Sequence, residues 1–464
     1  MLLQTWVDIL LKHKIYLKEK VMYKKTILLT LIFSNLANAN ICTENDYIRL
    51  AQSLKNNDFI TEAIKMYEKA LKINPNNSTA HWDLGMELFK QCNYPDSLKH
   101  FHALAEIEPD NPYTYFNIAY NFFKLGQLDK AEDFFNLFSI LAPNSKNPYR
   151  FLGFMNVLKG NFEKGYNFYN MFYGQLDKEQ EKLWHGQNAA GKTVYIWDNV
   201  GMGDVFCFIQ YARKLKEQGA TVILGVRKGL IPLMSSCPYV DNVFLRFSQI
   251  PPCDFVIDIN RLTRMSYRAG FGVPCGYIEP YLFANQQLVE KYKQTMSQDT
   301  NFKIGICWAA RSYKNKATGK TSVNKRSIPL YHFYFLSKLE KVSLYSLQRV
   351  NDTEQLDYMP KDFNIQIFDE NFDKNHGSFS DTAAVMKNLD LIITADTSIA
   401  NLAGALGVTV WVLLPFAADW RWQHNTSHTG WYPTMRLFRQ NKPGDWEYPI
   451  NQVCDKLCNI LFNR

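Results

Sequence analysis

The sequence predicts two kinds of structure in one chain: an α-helical repeat region at the N-terminus, followed by an α/β region at the C-terminus. Three observations lead to this fold class. A 34-residue spacing recurs over the first third of the chain, it disappears after Trp184, and apolar runs then alternate with helical segments. Strands that alternate with helices form parallel sheets, because each helix returns the chain to the same edge of the sheet.

Length and composition fit a protein of several domains. The 464 residues are 47% hydrophobic and 15% aromatic, which is enough apolar material for two or three cores. The formal net charge is +8, a mild excess for a chain of this length. Such an excess does not require a nucleic-acid partner, and it is compatible with a small anionic ligand. We therefore expect no nucleic-acid binding.

The repeat rests on four residue types that recur every 34 positions. The positions are Pro75, Pro109 and Pro143 for proline, Ala63, Ser97, Ala131 and Gly165 for small residues, Tyr67, Phe101, Phe135 and Tyr169 for aromatic residues, and Leu50, Leu84, Ile118 and Leu152 for aliphatic residues. Small residues let paired helices approach closely, aromatic side chains fill the space beside them, and proline ends the second helix. The pattern resembles the tetratricopeptide repeat, in three full copies and a degenerate fourth.

The fourth copy departs from the pattern. It lacks the terminal proline and has Asn156 where the other copies have Leu54, Leu88 and Phe122. We expect it to close the stack of repeats and to lead into the next domain. Stacked repeats present a concave surface to an extended polypeptide or to another subunit, so the resemblance implies a protein partner without identifying it.

Residues 1–42 allow two interpretations. From Met22 the chain has two lysines, the apolar stretch Thr26–Phe33 and the small-residue pattern Ala37-Asn38-Ala39, which is the order found in a secretory signal peptide. The stretch is too short to span a bilayer, and no membrane span is expected. The alternative is an amphipathic helix that leads into the first repeat. The protein is therefore expected in the cytoplasm, or exported if Met22 starts a cleaved signal peptide.

The first α/β unit opens with the strand Val194–Trp197 and a loop that contains Gly201 and Gly203. A helix is predicted from Asp204 to Glu217, and a second strand over Thr221–Val226. The two glycines let the backbone turn tightly near a ligand, and they place Asp204 in the first helical turn beyond the strand. A carboxylate there can accept the proton of an attacking hydroxyl, or it can simply cap the helix.

The most informative segment is residues 391–414. The apolar run Leu391–Thr394 stops at Asp396-Thr397-Ser398, a small-residue helix follows over Ala400–Leu406, and Val408–Leu414 is again apolar. In parallel sheets ligands bind beyond the carboxyl ends of the strands. Helix amides and the helix dipole at such a turn suit a phosphate or diphosphate, while the alternative is an ordinary turn with a capping residue.

Other elements of this second unit are predicted from the same patterns. They are the strands Lys303–Trp308, Val342–Leu347 and Ile365–Phe368, and the helices Leu330–Leu339 and Asp381–Asn388. The first of these strands is followed by a loop rich in lysine and arginine. Residues 303–326 carry seven basic side chains and no acidic one, among them Lys325 and Arg326. This loop either faces phosphate or is simply solvated.

The sequence predicts no metal site and no cofactor. His424 and His428 have no third ligand, and the nine cysteines include no Cys-x-x-Cys pair, so free thiols are expected. The Gly201-Met202-Gly203 loop has Phe206 where a dinucleotide fingerprint requires a third glycine, which argues against NAD.

The sequence of the α/β region resembles a known protein family. The stretch from Asp381 to Trp422, DTAAVMKNLDLIITADTSIANLAGALGVTVWVLLPFAADWRW, is similar to the tetratricopeptide-containing glycosyltransferases related to glycosyltransferase family 9, the heptosyltransferases. Gly201-Met202-Gly203-Asp204-Val205 and Ser346-Leu347-Gln348 also match. The resemblance implies a GT-B fold without metal. Repeats would occupy 43–176, an acceptor-side Rossmann-like domain 184–295, and a nucleotide-sugar domain 301–464.

The resemblance also implies roles for individual residues. Asp204 corresponds to the general base, and the turn at residues 396–398 to the binding site for the donor's diphosphate and sugar. Arg326, or Lys325, corresponds to the basic residue that neutralises the leaving diphosphate, with Arg421 as a further cation. Asn401 stands where the family commonly has histidine. The full set of expected substrate-binding residues is Gly201, Gly203, Lys325, Arg326, Gln348, Asp396, Thr397, Ser398, Asn401 and Arg421.

The expected function is transfer of a sugar from a nucleotide-diphosphate sugar to a hydroxyl acceptor. The repeats would recruit a protein or envelope-glycan acceptor. The alternative is a catalytically silent GT-B module carried by a protein-interaction scaffold. A nucleotide-sugar epimerase explains the repeats less well.

Overall fold

The computed structural model describes residues 43–178, 182–248, 252–274, 279–311, 313–314, 321–322 and 324–462. The chain divides into two compact units, the first ending at Pro143 and the second beginning at Asn144. The predictions made for residues 1–42 lie outside the described residues.

Residues 44–178 form eight helices arranged as four helical hairpins. The pairs are Glu44–Asn56 with Ile60–Ile73, Ser78–Lys90 with Tyr94–Ile107, Pro112–Lys124 with Leu128–Leu141, and Asn147–Leu158 with Phe162–Lys178. In the first three pairs the small and aromatic registers are fully buried, as at Ala63 and Tyr67. The predicted helical repeat is therefore confirmed. The first three pairs belong to the first unit, and the fourth pair belongs to the second unit.

A carboxylate links the first and second helix pairs. Asp83 accepts hydrogen bonds from Gln52 Nε2 at 3.1 Å, Lys55 Nζ at 3.0 Å and the Tyr67 hydroxyl at 3.0 Å. Burial opposes the ionisation of Asp83, but these three hydrogen bonds outweigh it and hold the pKa of the carboxyl below its ordinary value. Asp83 therefore supplements the apolar packing between repeats.

The rest of the chain contains two parallel sheets. The first consists of Thr193–Trp197 (β1), Thr221–Val226 (β2), Asn242–Leu245 (β3) and Phe255–Asp258 (β4), in the order β3-β2-β1-β4. The second sheet involves Phe302–Cys307 (β5), Val342–Ser346 (β8), Leu391–Ala395 (β9), Val410–Leu414 (β10) and Met435–Arg439 (β11), in the order β11-β10-β9-β5-β8. Between β5 and β8, Tyr313–Lys314 (β6) and Thr321–Ser322 (β7) pair antiparallel.

Helices and 3₁₀ turns connect these strands. The α-helices are Met202–Phe208, Ala212–Glu217, Ile231–Met234, Ile259–Arg268, Gln286–Thr295, Ser380–Met386, Ser398–Ala405 and Glu447–Phe462. The 3₁₀ segments are Ile209–Tyr211, Lys228–Leu230, Leu330–Lys338, Thr353–Tyr358 and Trp420–Trp422. A helical repeat region followed by parallel sheets and helices is the coarse fold class that the sequence predicted.

Three predicted elements differ in the structure. The helix expected from Asp204 to Glu217 is broken by the 3₁₀ turn Ile209–Tyr211. The segment Leu330–Lys338 is a 3₁₀ helix, because its aromatic residues favour an α-helix only weakly. The strand expected over Ile365–Phe368 is reduced to a single bridge between Tyr345 and Gln366. Ile367 is 60% exposed, while Ile365 and Phe368 are only partly buried against the two apolar cores.

The order of strands reverses once in each sheet. In the first sheet the reversal lies between β1 and β4, and in the second it lies between β5 and β9. Loops that leave neighbouring strands in opposite directions at such a point open a crevice beyond the strand ends, where ligands bind. A ligand site is therefore expected at the loops that follow β1, β5 and β9.

One apolar core extends under both sheets. The helix Met202–Phe208 that follows β1 packs against the helix Ser398–Ala405 that follows β9. Val205 and Phe206 of the first helix share a buried cluster with Leu402 and Ala403 of the second. In the described part of the chain, none of the helices combines the length and the apolar content needed to cross a lipid bilayer.

We predict that Asp83→Ala lowers the free energy of unfolding of the repeats by about 1–3 kcal/mol, because three donors lose their acceptor. Asp96→Ala is the matched control, since the Asp96 side chain is 45% exposed and its ion pair with Lys99 lies within one helical turn. This control is expected to cost less than about 0.5 kcal/mol. Urea unfolding measures both.

The same contribution depends on pH in a defined direction. Because the pKa of Asp83 is lower in the folded protein than the ordinary value of 3.8, its stabilisation is present above about pH 4 and is lost as the pH falls through the folded value. The difference between wild type and Asp83→Ala should therefore shrink on acidification. A difference that grows at acidic pH would contradict this assignment.

Candidate functional site

A cavity of about 860 Å³ opens where the carboxyl ends of the two sheets meet. Its walls come from the segments that directly follow β1, β2, β5, β8 and β9, together with the loop after β10. Both strand-order reversals contribute, through Gly201–Asp204 after β1 and Asp396–Ser398 after β9. Ligand pockets commonly have this size and this position in α/β proteins.

Asp204 lies beyond the carboxyl end of β1 in the first sheet. Its carboxylate is paired with an arginine from the second sheet. Arg421 Nη1 donates to Asp204 Oδ1 at 2.5 Å, and Arg421 Nε lies 3.2 Å from Asp419 Oδ1. The N-cap of the helix Met202–Phe208 is Gly201, so Asp204 does not cap this helix. Its carboxylate is directed instead to the guanidinium group across the cavity wall.

Arg421 is buried and carries its charge because carboxylates surround it. Burial alone would lower its pKa, but the charges of Asp419 and Asp204 outweigh burial and raise the pKa above the ordinary arginine value. Only 10% of the Arg421 side chain is exposed, against 26% for Asp204. The expected diphosphate-binding cation is therefore already paired, and Asp204 is the more accessible partner.

Asp396 stands at the carboxyl end of β9 and is almost completely buried. Its Oδ2 atom has no hydrogen-bond partner within the described residues and lies 3.7 Å from Arg326 Nη1. Burial raises the pKa of this carboxyl above its usual value, and the Arg326 guanidinium only partly opposes the effect. Arg326 itself is 42% exposed at its side chain, so it can contact a ligand in the cavity.

Thr397 and Ser398 begin the helix that follows β9. Thr397 is the N-cap, and its hydroxyl accepts from Ile399 N at 3.2 Å. Ser398 is half-buried and lines the cavity. Asn401 is 3% exposed, donates to Thr397 O at 3.3 Å and accepts from the Tyr432 hydroxyl at 3.1 Å. The Asn401 amide thus joins elements of the protein, although the residue lies in the cavity wall.

Gly203 lies where the helices after β1 and β9 meet. A Cβ atom on Gly203 would lie 3.0 Å from Asn401 Nδ2 and 3.2 Å from Ser398 Cα. A glycine at this position was expected to let the backbone approach a ligand. In the structure it lets two helix N-termini approach each other, which brings Asp204 to the same cavity as Ser398.

Gln348 also lines the cavity, but its amide is engaged within the protein. Gln348 Oε1 accepts from Ala309 N at 2.9 Å and from Cys307 Sγ at 3.1 Å, while Nε2 donates to Ala309 O at 3.2 Å and Asn351 O at 2.8 Å. Burial raises the pKa of the Cys307 thiol to about 11, so this donor keeps its proton at neutral pH. Gln348 fixes the loops after β5 and β8 against each other.

Lys325 is exposed and lies outside the cavity wall, on the turn next to Arg326. Gly201 does line the cavity, as the residue that caps the first helix. Of the expected site residues, the structure thus brings together Gly201, Gly203, Asp204, Arg326, Gln348, Asp396, Thr397, Ser398, Asn401 and Arg421, and leaves Lys325 aside.

Sequence reasoning missed the buried anchor of the first sheet. Asp198 directly follows β1, is fully buried, and forms a close ion pair with Arg246 Nη1. It also accepts from Arg227 N at 3.2 Å and lies 3.7 Å from Arg227 Nε. Asp198 therefore places Arg227 in the cavity wall. The signal that was available is the position of Asp198 and Arg227, each the first residue beyond a strand.

A second missed wall is the loop that precedes the helix Ser380–Met386. Arg349 Nη2 donates to Asp369 O and Phe372 O, both at 3.2 Å, and the guanidinium lies 5.0 Å from the Phe372 ring centroid. Asp373 Oδ1 accepts from Asp381 N at 2.9 Å and Thr382 N at 3.1 Å. These contacts hold the loop in the cavity wall, and no local sequence motif predicts them.

Charged side chains give the cavity a positive character. Six basic and three acidic residues line it, a difference of three positive charges. The basic residues are Arg227, Arg311, Arg326, Arg349, Lys374 and Arg421, and the acidic residues are Asp204, Asp373 and Asp396. Clefts with one dominant sign of charge concentrate ligands of the opposite sign. The arrangement therefore suits an anionic ligand.

Within the described ranges, no three His, Cys, Asp or Glu side chains are grouped so that they could hold a metal ion. His424 and His428 lie outside the regular helices and strands. The described cysteines are free thiols.

Parts of this chain are similar to known proteins. A sequence model of the tetratricopeptide repeat matches residues 47–77 and 112–143. Protein FlbA of Caulobacter vibrioides is 22% identical over 300 residues, which cover 59% of this chain and 48% of that protein. The chain thus spans about half the length of this curated relative. The repeats are tetratricopeptide repeats, and they indicate a protein-interaction scaffold.

Solved structures of MamA are similar to about a third of this chain. MamA 41-end from Desulfovibrio magneticus RS-1 is 22% identical and covers 30% of this chain and 77% of that chain, with a TM-score of 0.28. Another crystal structure of MamA is 14% identical and covers 32% of this chain and 86% of that chain, with a TM-score of 0.30.

We predict that Gly203→Ala lowers the free energy of unfolding by about 1–3 kcal/mol, because its Cβ overpacks the contact between two helices. Gly201→Ala is the matched control. Gly201 has φ −64° and ψ 153°, which any residue adopts, and its Cβ would meet only the flexible Asp204 side chain. Equal losses in urea unfolding would remove the special role of Gly203.

We predict that Asp396→Asn stabilises the protein at neutral pH, on the order of 1 kcal/mol, because it removes a buried and incompletely paired charge. The folded pKa is raised above the unfolded value of 3.8, so the ionised carboxylate destabilises the protein increasingly as pH rises through that window. Unfolding measured from about pH 4 to about pH 8 should show the two proteins converging at the acidic end. A constant difference would exclude this titration.

Proposed function

We propose that the α/β region is a metal-independent glycosyltransferase of the GT-B type. It transfers a sugar from a nucleotide-diphosphate sugar to a hydroxyl group of an acceptor. The observation that carries the proposal is the cavity shared by the carboxyl ends of two parallel sheets, where Asp204 comes from the first sheet and Arg311 and Arg326 come from the second. The similarity to family 9 glycosyltransferases in the loops around this cavity supports the same conclusion.

The chemistry needs a base and a stabilised leaving group. The acceptor hydroxyl attacks the anomeric carbon, its proton passes to Asp204, and the bond between that carbon and the diphosphate oxygen breaks. The diphosphate leaves with the bonding electrons. A positioned base typically contributes 10²–10⁴-fold to such a step. Asp204 is the carboxylate of the β1 side that lines the cavity, and more than a quarter of its side chain is accessible.

Guanidinium groups and backbone amides are proposed to hold the diphosphate. Arg326 and Arg311 line the cavity beyond β5, next to the N-terminus of the helix Ser398–Ala405. Fixed positive groups aimed at developing negative charge are the usual source of electrostatic stabilisation in such sites. Arg421 then acts on Asp204 rather than on the diphosphate, because it is buried and already paired.

In this proposal each region of the chain has a distinct task. Residues 184–295 bind the acceptor and supply Asp204, while residues 301–464 bind the donor. The tetratricopeptide repeats recruit a protein or an envelope glycan as acceptor. A recruiting domain linked to a catalytic region in one chain raises the effective concentration of the acceptor hydroxyl.

A second candidate function is a catalytically silent module on an interaction scaffold. Two observations favour it: one oxygen of Asp204 is occupied by Arg421, and Asn401 is committed to Tyr432 and Thr397 where the family has histidine. Donor binding without transfer, or no donor binding at all, would support this second candidate.

A panel of nucleotide-sugars tests the proposal, with binding measured by calorimetry and transfer or donor hydrolysis measured by product release. We expect one donor class to bind, and Asp204→Asn to lower turnover by about 10²-fold or more while donor affinity changes little. Full turnover in Asp204→Asn would exclude Asp204 as the base. If no donor binds the wild-type protein, the glycosyltransferase proposal is wrong.

Arg326→Ala and Lys325→Ala form a matched pair of neighbouring substitutions. Arg326 lines the cavity and Lys325 does not, so only Arg326→Ala is expected to weaken binding of the nucleoside diphosphate, by about tenfold or more. The lost charge is the same in both variants. Equal weakening would show a general effect of net charge instead of a contact in the cavity.

A further inference from the structure

The fourth helix pair contacts the turn that carries Arg421. Both elements belong to the second unit of the chain. The helix Asn147–Leu158 packs against the 3₁₀ turn Trp420–Trp422. Immediately after this turn, His424 N donates to the carbonyl of Leu158 at 3.0 Å. The last residue of a repeat helix thus lies beside the segment that reaches Asp204.

The sequence of the fourth repeat has changed at this contact. Leu158 occupies the 34-residue register of Lys90 and Lys124. The Lys90 side chain is 59% exposed, whereas Leu158 is 5% exposed. A charged residue at this position suits a helix end in water, and a buried leucine suits a helix end that another segment covers. The substitution marks the place where the fourth repeat serves the α/β region.

Other elements hold the same turn from different directions. Asp419 Oδ1 accepts from Arg421 N at 3.1 Å and closes the start of the turn. Arg439, at the end of β11, donates through Nη2 to Trp422 O at 3.1 Å and to Gln423 O at 2.7 Å. The Trp420 ring stacks on Phe208 with an interplanar angle of 15°. The turn is therefore fixed between the fourth repeat, the second sheet and the helix that bears Asp204.

The second helix of the fourth pair carries Tyr169, which interacts electrostatically with Asp419. Burial is the main cause that raises the pKa of Tyr169, and Tyr166 and Asp419 add to it. Tyr166 is 2% exposed and stacks on Tyr267 with ring centroids 4.9 Å apart. The first helix of the pair thus contacts the Trp420–Trp422 turn directly, and the second helix packs against the helix Ile259–Arg268.

We propose that the fourth helix pair is a positioning element of the candidate active site, because it holds the Trp420–Trp422 turn so that Arg421 orients Asp204. The inference rests on the proposed role of Asp204 as base. Loosening the turn moves the guanidinium, and the carboxylate loses its fixed orientation toward the acceptor hydroxyl. Donor binding is made by other residues and is left intact, so the effect falls on kcat rather than on the donor KM.

Leu158→Lys tests the inference, because it restores the residue found in two other repeats. We expect kcat to fall by about tenfold or more, while the donor KM changes by less than about threefold. Leu158→Met should retain wild-type turnover, since methionine fills a leucine site with little cost. Lys124→Leu is the matched control at the same register of the third repeat and should leave donor hydrolysis unchanged. Wild-type kcat in Leu158→Lys would overturn the inference.

A double-mutant cycle with Arg421→Met separates positioning from general damage. If Leu158 acts through Arg421, then Leu158→Lys lowers kcat by less than about twofold in the Arg421→Met background. Losses that multiply in the double variant would show two independent effects and would overturn the inference. Purified full-length protein is used throughout, with the donor found in the panel.

The same double-mutant cycle, measured by thermal unfolding, distinguishes failure of the positioning role from failure of the proposed function. Leu158→Lys and Arg421→Met are expected to lower the Tm by less together than the sum of their separate effects, whether or not the protein is an enzyme. If no nucleotide-sugar binds, the proposed function fails while this coupling still stands. If a donor binds and reacts but the Tm changes are additive, the positioning role fails alone.

Discussion

The ion pair between Asp204 and Arg421 is the interaction on which the candidate site depends. It joins the helix after β1 to the loop after β10, and so connects the two parallel sheets at the cavity. A buried guanidinium is stable only while its carboxylate partners are present, because an unpaired charge in the interior is costly. The close approach of the helices at Gly203 and the fixed Trp420–Trp422 turn both serve to keep these two groups in register.

The cavity is positive because basic side chains outnumber acidic ones in its wall, six to three, and most of the carboxylates are already engaged by the protein. Asp204 is paired with Arg421, and Asp373 accepts hydrogen bonds from the amides that begin the helix Ser380–Met386. Asp396 is the exception, with one oxygen lacking a hydrogen-bond partner in the described structure. An anionic ligand would therefore compete with Asp396 for Arg326, and the raised pKa of Asp396 eases that competition, since a proton can replace the cation.

Local sequence patterns were sufficient to predict most of the helices and strands, but not the long-range contacts of their side chains. The strand Thr221–Val226 and the turn at Asp396 follow from apolar runs and small polar clusters, which are properties of neighbouring residues. The pairing of Asp204 with Arg421 spans 217 positions, so no periodicity reveals it. The engagement of Gln348 by backbone groups was likewise hidden, because a polar residue at a strand end has the same sequence signature whether it binds a ligand or the protein. At Leu330–Lys338 the apolar pattern predicted an α-helix, but residues with weak helix propensity form a 3₁₀ helix instead.

The division of the chain at Pro143 has a consequence for how such proteins are recombined. The repeat period alone suggests that all four helix pairs form one exchangeable cassette, but the fourth pair is built into the α/β region. A chimaera cut after the fourth pair would uncover the apolar end at Leu158 and leave the His424 amide without its acceptor. A cut before Asn144 falls instead between the two compact units and keeps the contacts of Leu158 and His424 within one of them.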